Sequence, residues 1–577
     1  MRASHLPLWS LALLALLGTA SCAPRAREPG PPQTATSALA AIAPDSIGAT
    51  IRALAADSMA GRGAATPGYD RAARYVSGRF EAMGLEPGGS EGGWFQPVPL
   101  RRSDLVRDSC ELWLDARPSR HYLYGQDFFM PADPVRERSE VDAGLVFAGF
   151  GVVAPELHHD DYLGLDVRGR VVVLLSGAPA TFPSDQRAYY SSSLVKQRNA
   201  AAHGAAGILT VRTDADEERT PWEQAIRRSR FPAMRWTDAR GRPHDVFPQL
   251  AVEATLSRPA ATGLFEHAYP GGLDSVLARC ERGAFPRPLL AAGMRARRVT
   301  RHADVSSPNV IALLPGSDAR LANEVVVYSA HLDHLGIGEP VEGDSIYNGA
   351  YDNASGVAIL LEVARALRTL PGPPRRTLAF VALTGEEKGM QGSDYFARFP
   401  TVRGRLVADI NLDMILMLHP FVDVVAFGAE HSSLAEAVRR AARGVPDPRW
   451  GREITVSRDP HPAAVVFIRS DQFSFIRQGI PAVFPTSGSG ARPEDAARDS
   501  AWFRDHYHQP DDDLAQPMDF EASARFARFC LLLGLEVANT PRAPQWKRGD
   551  FFGQTFGAAA HPPEAGAARG AKEEGNP

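Results

Sequence analysis

The stretch EVVVYSAHLDHLG at residues 324–336 carries the pattern that decides the fold. Glu324 to Ala330 is a short apolar run, which predicts a strand buried inside a sheet. A stretch with apolar residues at helical spacing follows at 356–370, and further apolar runs lie at 377–383 (TLAFVAL), 406–412 and 481–484. Strands that alternate with helices predict an α/β fold, in which a mostly parallel, mixed sheet carries helices on both faces.

Side chains that can bind metal ions follow these predicted strands. The carboxyl ends of strands meet at one edge of such a sheet, where ligands bind. Zinc binds histidine nitrogen and carboxylate oxygen, and two histidines with three carboxylates can hold two ions if one carboxylate bridges them. Any one of these residues alone would be an ordinary polar or surface residue, but together they favour a metal site. The candidates are His331, Asp352, Glu387, Asp413 and His508, with Asp333, Glu386 and Tyr507 beside them.

Six segments of the sequence, taken in their order along the chain, resemble the M28 zinc aminopeptidases. The resemblance covers residues 45–135 and about 295–540, and it implies a zinc-aminopeptidase fold of the phosphorylase/hydrolase-like type. The matching segments are AHLDHLG (330–336), YDNASGVA (351–358), TGEEKGMQGS (384–393), NLDM (411–414), RSDQFSF (469–475) and DHYHQPDDD (505–513).

The resemblance implies a role for each candidate. One zinc ion would be bound by His331, Asp352 and Asp413, and a second by Asp352, Glu387 and His508, so that Asp352 bridges the two. A cis peptide bond is expected between Asp352 and Asn353.

The remaining candidates would serve the reaction. Asp333 would hydrogen-bond His331 and fix its tautomer, Glu386 would be the general base, and Tyr507 could donate to an oxyanion, although simple packing is an equal alternative. His334 is expected to pack beside the site and shape the pocket.

The region between the two matching parts has a different sequence pattern. Its segment VFAGFGVVAPELHHDDYLGLDVRGRVVVLLSGAP (146–179) resembles a protease-associated (PA) domain. We therefore expect a discontinuous M28 peptidase domain at 45–135 and 292–540, with a β-rich PA domain inserted at 136–291. Residues 23–44 are rich in Pro, Ala, Thr and Arg without periodicity and are expected to be a flexible tether. Residues 541–577 are rich in Gly, Ala, Pro and Glu and are expected to be a disordered tail.

The N-terminus predicts export. Arg2, an apolar run from Leu6 to Leu17, and small residues before Cys22 form a signal peptide of the lipoprotein type, residues 1–22. We expect a lipid anchor on Cys22 in a bacterial cell envelope, periplasmic or at the outer surface; ordinary secretion is the alternative. The later cysteines, Cys110, Cys280 and Cys530, are too few and too far apart for a metal cluster or a disulfide framework. A net charge of −4 argues against a nucleic-acid partner.

These observations predict an exported zinc metallopeptidase with two zinc ions per chain and peptide or protein substrates. An aminopeptidase is the leading hypothesis, and a carboxypeptidase or dipeptidase with the same metal core is the main alternative. A basic pocket for the substrate carboxylate would distinguish them. Glutaminyl cyclisation and a non-catalytic, receptor-like surface protein are disfavoured, because relatives of those kinds use one zinc ion or lose ligands. The sequence leaves the oligomeric state open.

Overall fold

The computed structural model describes residues 35–115, 120–288, 290, 292–445, 453–488 and 492–557. The helices are α1 (Thr36–Ala41), α2 (Pro44–Leu54), α3 (Pro67–Ala82), α4 (Ser184–Ser191), α5 (Ser193–Ala202), α6 (Asp214–Arg219), α7 (Trp222–Ser229), α8 (Arg258–Phe265), α9 (Gly272–Glu281), α10 (Gly356–Leu367), α11 (Gln391–Arg398), α12 (Leu434–Arg443), α13 (Gln472–Arg477), α14 (Pro493–Asp505), α15 (Phe520–Asn539) and α16 (Phe551–Phe556).

The strands vary widely in length, and two of them are much longer than the rest. They are β1 (Glu86–Pro87), β2 (Phe95–Leu114), β3 (Arg120–Tyr122), β4 (Phe128–Phe129), β5 (Arg138–Phe147), β6 (Val153–Ala154), β7 (His159–Asp160), β8 (Val171–Leu175), β9 (Gly207–Val211), β10 (Ala233–Trp236), β11 (Val252–Leu256), β12 (Gly293–Leu314), β13 (Glu324–His331), β14 (Gly336–Val341), β15 (Asp344–Tyr347), β16 (Thr377–Leu383), β17 (Arg405–Asn411), β18 (Asp423–Phe427), β19 (Thr455–Ser457) and β20 (Ala482–Ser487).

The predicted mixed sheet is confirmed. Strand β13 lies parallel between β16 and β17, and β20 continues the parallel order beside β17. Antiparallel β12 and β18 flank these four strands. We call this part of the chain the first unit.

Helices cover both faces of the first unit, as predicted. Alternate residues of a strand point to opposite faces, and in β13 both sets are buried. Val326 and Tyr328 share a core with helices α10 and α15 on one face. Val325 and Val327 pack on the other face with Phe396 of α11 and with α13. Burial on both sides explains why β13 is a continuous apolar run.

A second unit continues the sheet beyond β12. Strands β5, β8, β9 and β11 lie parallel in that order, with β4 antiparallel at the edge. This unit contains helices α4 to α9 as well as strands, so the expectation of a mainly β-rich insertion was incomplete. The physical reason is that neighbouring parallel strands need long crossover connections, which are usually helical.

The core of the second unit crosses the predicted boundaries at residues 136 and 291. The core of the second unit already includes Cys110, Leu112 and Met130, and it extends past residue 291 to Met294. The cause is the ribbon formed by β2 and β12, which pair antiparallel over most of their length. One end of β12 pairs with β5 and the other with β16, so this strand belongs to both cores.

Both expected flexible segments are partly folded. Within the predicted tether, α1 buries Ala38 in the core of the first unit. Within the predicted tail, α16 buries Phe552, and the Trp546 indole donates to the Gly479 carbonyl at 2.9 Å. A few buried side chains are enough to order these segments despite their Ala-, Pro- and Gly-rich composition. The predicted signal peptide with Cys22, the rest of the tether and residues 558–577 lie outside the described residues.

Cys110, Cys280 and Cys530 are buried and unpaired with one another. Within the described ranges, the helices are too short or too polar for a membrane span.

Candidate metal centre

His331 ends strand β13 and lies at the centre of the candidate site. Its Nε2 is 3.0 Å from Asp413 Oδ1 and 3.2 Å from Asp352 Oδ1. The ring is almost fully buried. Burial alone would lower the pKa of His331, but the surrounding carboxylates, Asp413 foremost, outweigh it and raise the pKa well above its usual value. A field this negative favours any cation held between these groups, a proton or a metal ion alike.

Asp352 lies between His331 and His508. Its Oδ1 faces His331, and its Oδ2 is 3.0 Å from His508 Nε2. The peptide bond from Asp352 to Asn353 is cis, as the resemblance implied. The Asp512 carboxylate accepts the backbone N–H groups of Tyr351 and Asp352 at 2.8 and 3.0 Å. This loop before helix α10 is therefore fixed by side-chain contacts that a single motif does not reveal.

Asp413 follows strand β17 and is held by a hydroxyl group. Ser470 Oγ donates to Asp413 Oδ2 at 2.6 Å, which leaves Oδ1 towards His331. Ser470 falls within the segment RSDQFSF, but sequence reasoning gave it no role.

Asp333 supports the site differently from the prediction. Its carboxylate is 4.0 Å from His331 Nδ1, whereas its backbone carbonyl is 3.0 Å from the same nitrogen. The carboxylate instead accepts the backbone N–H groups of Glu386 and Glu387 at 3.1 and 3.4 Å. The reason is that the turn after β16 presents two amide donors, so Asp333 joins the β13 and β16 loops. Burial raises the pKa of Asp333 to about 6.

Glu387 and His508 complete the predicted set. His508 Nε2 is 3.2 Å from Glu387 Oε1. Ligand atoms about 2.0–2.1 Å from one tetrahedral zinc ion would be roughly 3.4 Å apart. The contacts of 3.0–3.2 Å within each of the two expected donor sets are close to this spacing. All five predicted ligands therefore converge, with Asp352 in contact with both histidines.

Arg62 anchors the loops around these donors. Its fully buried guanidinium donates to the carbonyls of Leu332, Leu54, Asn348 and Gly349 at 2.6–2.9 Å. Leu332 lies between two site residues, and Gly349 precedes the Asp352 turn. Burial lowers the pKa of Arg62 to about 10. Nothing in the sequence around Arg62 indicated this role, because its partners are up to 287 positions away.

Residues 309–533 match the family model of Peptidase family M28. This part of the chain, which holds all five candidate ligands, is similar to peptidase family M28. A probable zinc metalloprotease of Pyrenophora teres f. teres is 27% identical over 267 residues, which cover 42% of this chain and 53% of that protein. Carboxypeptidase Q of Xenopus laevis is 34% identical over 95 residues, 16% of this chain and 18% of that protein. The chain thus spans about half the length, or less, of these curated relatives.

A solved structure shares the fold of this chain. The aminopeptidase from Aneurinibacillus sp. strain AM-1 has a TM-score of 0.52 and is 19% identical, covering 88% of this chain and 97% of that one. At this identity the likeness concerns the fold alone.

His334 lies closer to the M28 site than expected. Its Nδ1 is 2.9 Å from Glu387 Oε1 and 3.8 Å from Asp352 Oδ2, and the ring is fully buried. Within the described residues, neither ring nitrogen makes a hydrogen bond with acceptable angles, and neither does Glu387 Oε1. The three residues form a group that could hold a metal ion. The sequence did offer a signal, the second histidine of HLDH, but its spacing of three from His331 did not distinguish ligation from packing.

Tyr507 connects the M28 site to the second unit. Its ring stacks on His508 with centroids 3.8 Å apart, and its carbonyl accepts a hydrogen bond from Gln224 of α7 at 3.0 Å. Burial raises the pKa of Tyr507 well above its usual value, and the charges of Arg469 and Arg228 oppose that rise. The phenol is therefore protonated at neutral pH and able to donate a hydrogen bond.

Proposed function

We propose that this chain is a zinc metallopeptidase that acts as an aminopeptidase with two zinc ions. The observation that carries the proposal is the series of contacts of 3.0–3.2 Å that joins two histidines to Asp352 and to one further carboxylate each, Asp413 and Glu387. The match of residues 309–533 to peptidase family M28 and the similarity to probable zinc metalloproteases support the same chemistry. The ions would be held by His331, Asp352 and Asp413, and by Asp352, Glu387 and His508.

Bound zinc would act as a Lewis acid and lower the pKa of a bound water towards 7. Glu386 is the group we assign as general base. It lies next to Glu387 in a turn that Asp333 fixes through two backbone amides. Burial raises the pKa of Glu386, in the direction that a base working near neutral pH requires. Glu386 would take a proton from the attacking water and deliver it to the leaving amine.

Tyr507 would stabilise the negative charge that develops on the oxygen of the scissile carbonyl. Its hydroxyl stays protonated, as the raised pKa indicates, and its ring is held against His508. One such donor is worth about 2.7–4 kcal/mol in the transition state when it is aimed at the developing oxyanion.

We propose aminopeptidase activity on the strength of the shared fold with a protein described as an aminopeptidase. A free substrate amine is a cation, and the site's carboxylates would attract it. Carboxypeptidase activity is the second candidate, because a protein described as carboxypeptidase Q shares one segment and cations border the site. Peptides with a free or an acetylated N-terminus separate the two, since acetylation abolishes only aminopeptidase cleavage.

The central test is Glu386→Gln with Glu218→Gln as the matched control. Glu218 is exposed and lies in the second unit. We expect Glu386→Gln to keep its zinc content and lose at least about a hundredfold in kcat, the typical contribution of a general base. The control should keep wild-type activity. Full activity in Glu386→Gln would refute the assignment of the base.

A second test addresses the two ions. Asp352→Ala should lose both, because each expected donor set includes Asp352. Elemental analysis that still finds two zinc ions per chain in this variant would refute the bridge. A chelator should abolish turnover of amino-acid p-nitroanilides by the wild type, and added zinc should restore it.

We also propose export with a lipid anchor on Cys22, and a PA identity for the second unit. Both rest on the sequence patterns of residues 1–22 and 146–179. Mass spectrometry of the mature N-terminus tests the first: an acylated Cys22 is expected, and an intact signal peptide would contradict it.

A further inference from the structure

The connection between strands β9 and β11 reaches out of the second unit. These two strands are parallel neighbours in the sheet, so the chain must cross over between them. The crossover, residues 212–251, contains helices α6 and α7 and also strand β10. Strand β10 pairs antiparallel with β2, and Trp236 at its end lies opposite Leu100. A connection between two strands of the second unit thus adds a strand to the ribbon beside the first unit.

Trp236 fixes strand β10 against helix α11 of the first unit. Its indole donates to Asp394 Oδ2 at 2.9 Å, and its backbone N–H donates to Gln391 Oε1 at 2.8 Å. The side chain is only 5% exposed and packs with Met234 and Leu100. Both hydrogen bonds are therefore buried, and strand β10 is held in place at the start of α11.

Gln391, the first residue of α11, extends this contact to the turn before the helix. Its Oε1 accepts from Trp236, and its Nε2 donates to the carbonyls of Lys388 and Gly389 at 3.1 and 2.7 Å. Both ends of the amide are engaged, and a flip would lose all three bonds, because the oxygen only accepts and the nitrogen only donates. Arg235 of β10 also donates to the Lys388 carbonyl, at 3.3 Å. Strand β10 and this turn are therefore joined through one buried side chain.

The turn at residues 385–390 carries the proposed general base, Glu386. Its backbone is strained, because Met390 has a φ of +58°, in the left-handed region that residues with a side chain seldom adopt. Asp333 accepts the two backbone N–H groups at the start of the turn, and Gln391 donates to the two carbonyls at its end. A strained conformation persists only where its surroundings fix it. Two buried side chains do so here, one from each end.

We propose that Gln391 is a positioning residue: it couples strand β10 to this turn and thereby holds the Glu386 carboxylate in place to accept a proton from the attacking water. The inference rests on the proposed peptidase function and adds a role for the second unit in the reaction. The effect passes through the backbone of the turn, since Gln391 contacts carbonyls that follow the base. A displacement of about 1 Å at a reacting group can cost about a hundredfold in rate.

A simpler role for Gln391 would be to stabilise the start of helix α11. The two roles differ in what a substitution changes. Loss of a purely structural contact lowers the free energy of unfolding and leaves kcat of the folded, zinc-loaded enzyme unchanged. Loss of a positioning contact lowers kcat through Glu386 and leaves KM nearly unchanged.

The test compares Gln391→Met, Gln391→Glu and the control Gln197→Met. Methionine is similar in length to glutamine but makes none of the three bonds, whereas glutamate keeps an acceptor for Trp236 and loses the donor to the turn. Gln197 lies in the second unit, where its amide donates to Glu253 at 2.7 Å. Gln391→Met is also combined with Glu386→Gln. Values of kcat and KM for an amino-acid p-nitroanilide, zinc content and thermal unfolding are measured for each variant.

Amide hydrogen exchange of the metal-free chains adds a measurement that does not depend on turnover. The peptide that covers residues 384–391 reports on the turn, and strand β13 serves as the internal reference. We expect faster exchange of the turn in Gln391→Met, because the turn opens more readily without the bonds at its end. Exchange of the turn in Gln197→Met should match the wild type.

We expect both Gln391 variants to lose about 10–100-fold in kcat, with KM changed less than about twofold. The double variant should lie within about twofold of Glu386→Gln alone, because a contact that acts through the base has no further effect once the base is absent. Gln197→Met should keep the kcat of the wild type.

Several results would overturn the proposal. Wild-type kcat in either Gln391 variant would leave Gln391 with a structural role at most, and a loss of zinc in both would assign it to metal binding. Losses that multiply in the double variant would show that Gln391 acts independently of Glu386. If the zinc-loaded wild type cleaves none of the p-nitroanilides, the proposed function itself fails, and hydrogen exchange still decides whether Gln391 holds the turn.

Discussion

Replacement of Arg62 by methionine tests whether one buried cation organises the metal-binding loops. Methionine fills a similar volume but donates no hydrogen bonds. The change leaves the carbonyls of Leu332, Leu54, Asn348 and Gly349 without the donors that now lie 2.6–2.9 Å from them. These groups are enclosed, and Arg62 itself is only 1% exposed.

The magnitude follows from the four lost contacts. Each buried acceptor without a partner costs about 1–3 kcal/mol. Removal of a desolvated charge returns several kcal/mol, and water can reach some of the carbonyls, so a net loss of about 3–5 kcal/mol in the free energy of unfolding is expected. The loops that carry His331 and Asp352 would also loosen. Supporting contacts of this kind typically change metal affinity by about 10–100-fold.

The assay has two parts, with Arg74→Met as the control. Arg74 is exposed on α3, and its replacement should change stability by about 0.5 kcal/mol or less. Urea unfolding gives the stability of the metal-free chains, and titration against a competing chelator gives zinc affinity. A stability within about 1 kcal/mol of the wild type, with unchanged zinc affinity, would refute the reasoning.

Two further predictions concern other histidines. His334→Asn should lower the affinity for the zinc ion proposed between Asp352, Glu387 and His508 by about 10–100-fold and leave the affinity for the other ion unchanged. Titration with a chelator should then show two sites of unequal affinity. Two sites of wild-type affinity would contradict a role for His334. Burial alone would lower the pKa of His431, but its hydrogen bond to Asp550 at 2.7 Å, with Asp185 and Glu430 nearby, raises it. The ion pair should therefore stabilise the fold fully below about pH 6.5 and lose this effect as the pH rises through the raised pKa. Asp550→Asn should cost more stability at pH 5.5 than at pH 9 in thermal unfolding, and an equal cost at both would count against the pair.

The fold of the first unit and the convergence of the five ligands could be predicted from the sequence for the same reason. Strands β13, β16 and β17 are buried on both faces, so they are visible as apolar runs, and each ligand-bearing loop begins where a run ends. The chain must then bring those loops together at one sheet edge, because the carboxyl ends of parallel strands share it. His331, Glu387 and Asp413 could be assigned on that basis, and their motifs made the family resemblance specific.

Other features depend on contacts between distant parts of the chain, which local patterns do not encode. Arg62, Ser470 and Asp512 are ordinary polar residues in sequence, and only packing turns them into supports for the metal-binding loops. The carboxylate of Asp333 faces two backbone amides rather than His331, because the turn after β16 happens to present them. The core of the second unit extends beyond the predicted boundaries because β2 and β12 each contribute to more than one core. The alternation of buried side chains along a strand does not change where the strand passes from one core to the next.

Sequence alone determined the donor chemistry, because the residue types at the strand ends fix that the ligand atoms are histidine nitrogens and carboxylate oxygens. Tertiary structure alone decided what surrounds those donors: the position of His334 against Glu387 and the placement of α7, with Arg228, over Tyr507. The physical reason is that side-chain identity is local, whereas the distances between side chains follow from packing of the whole chain.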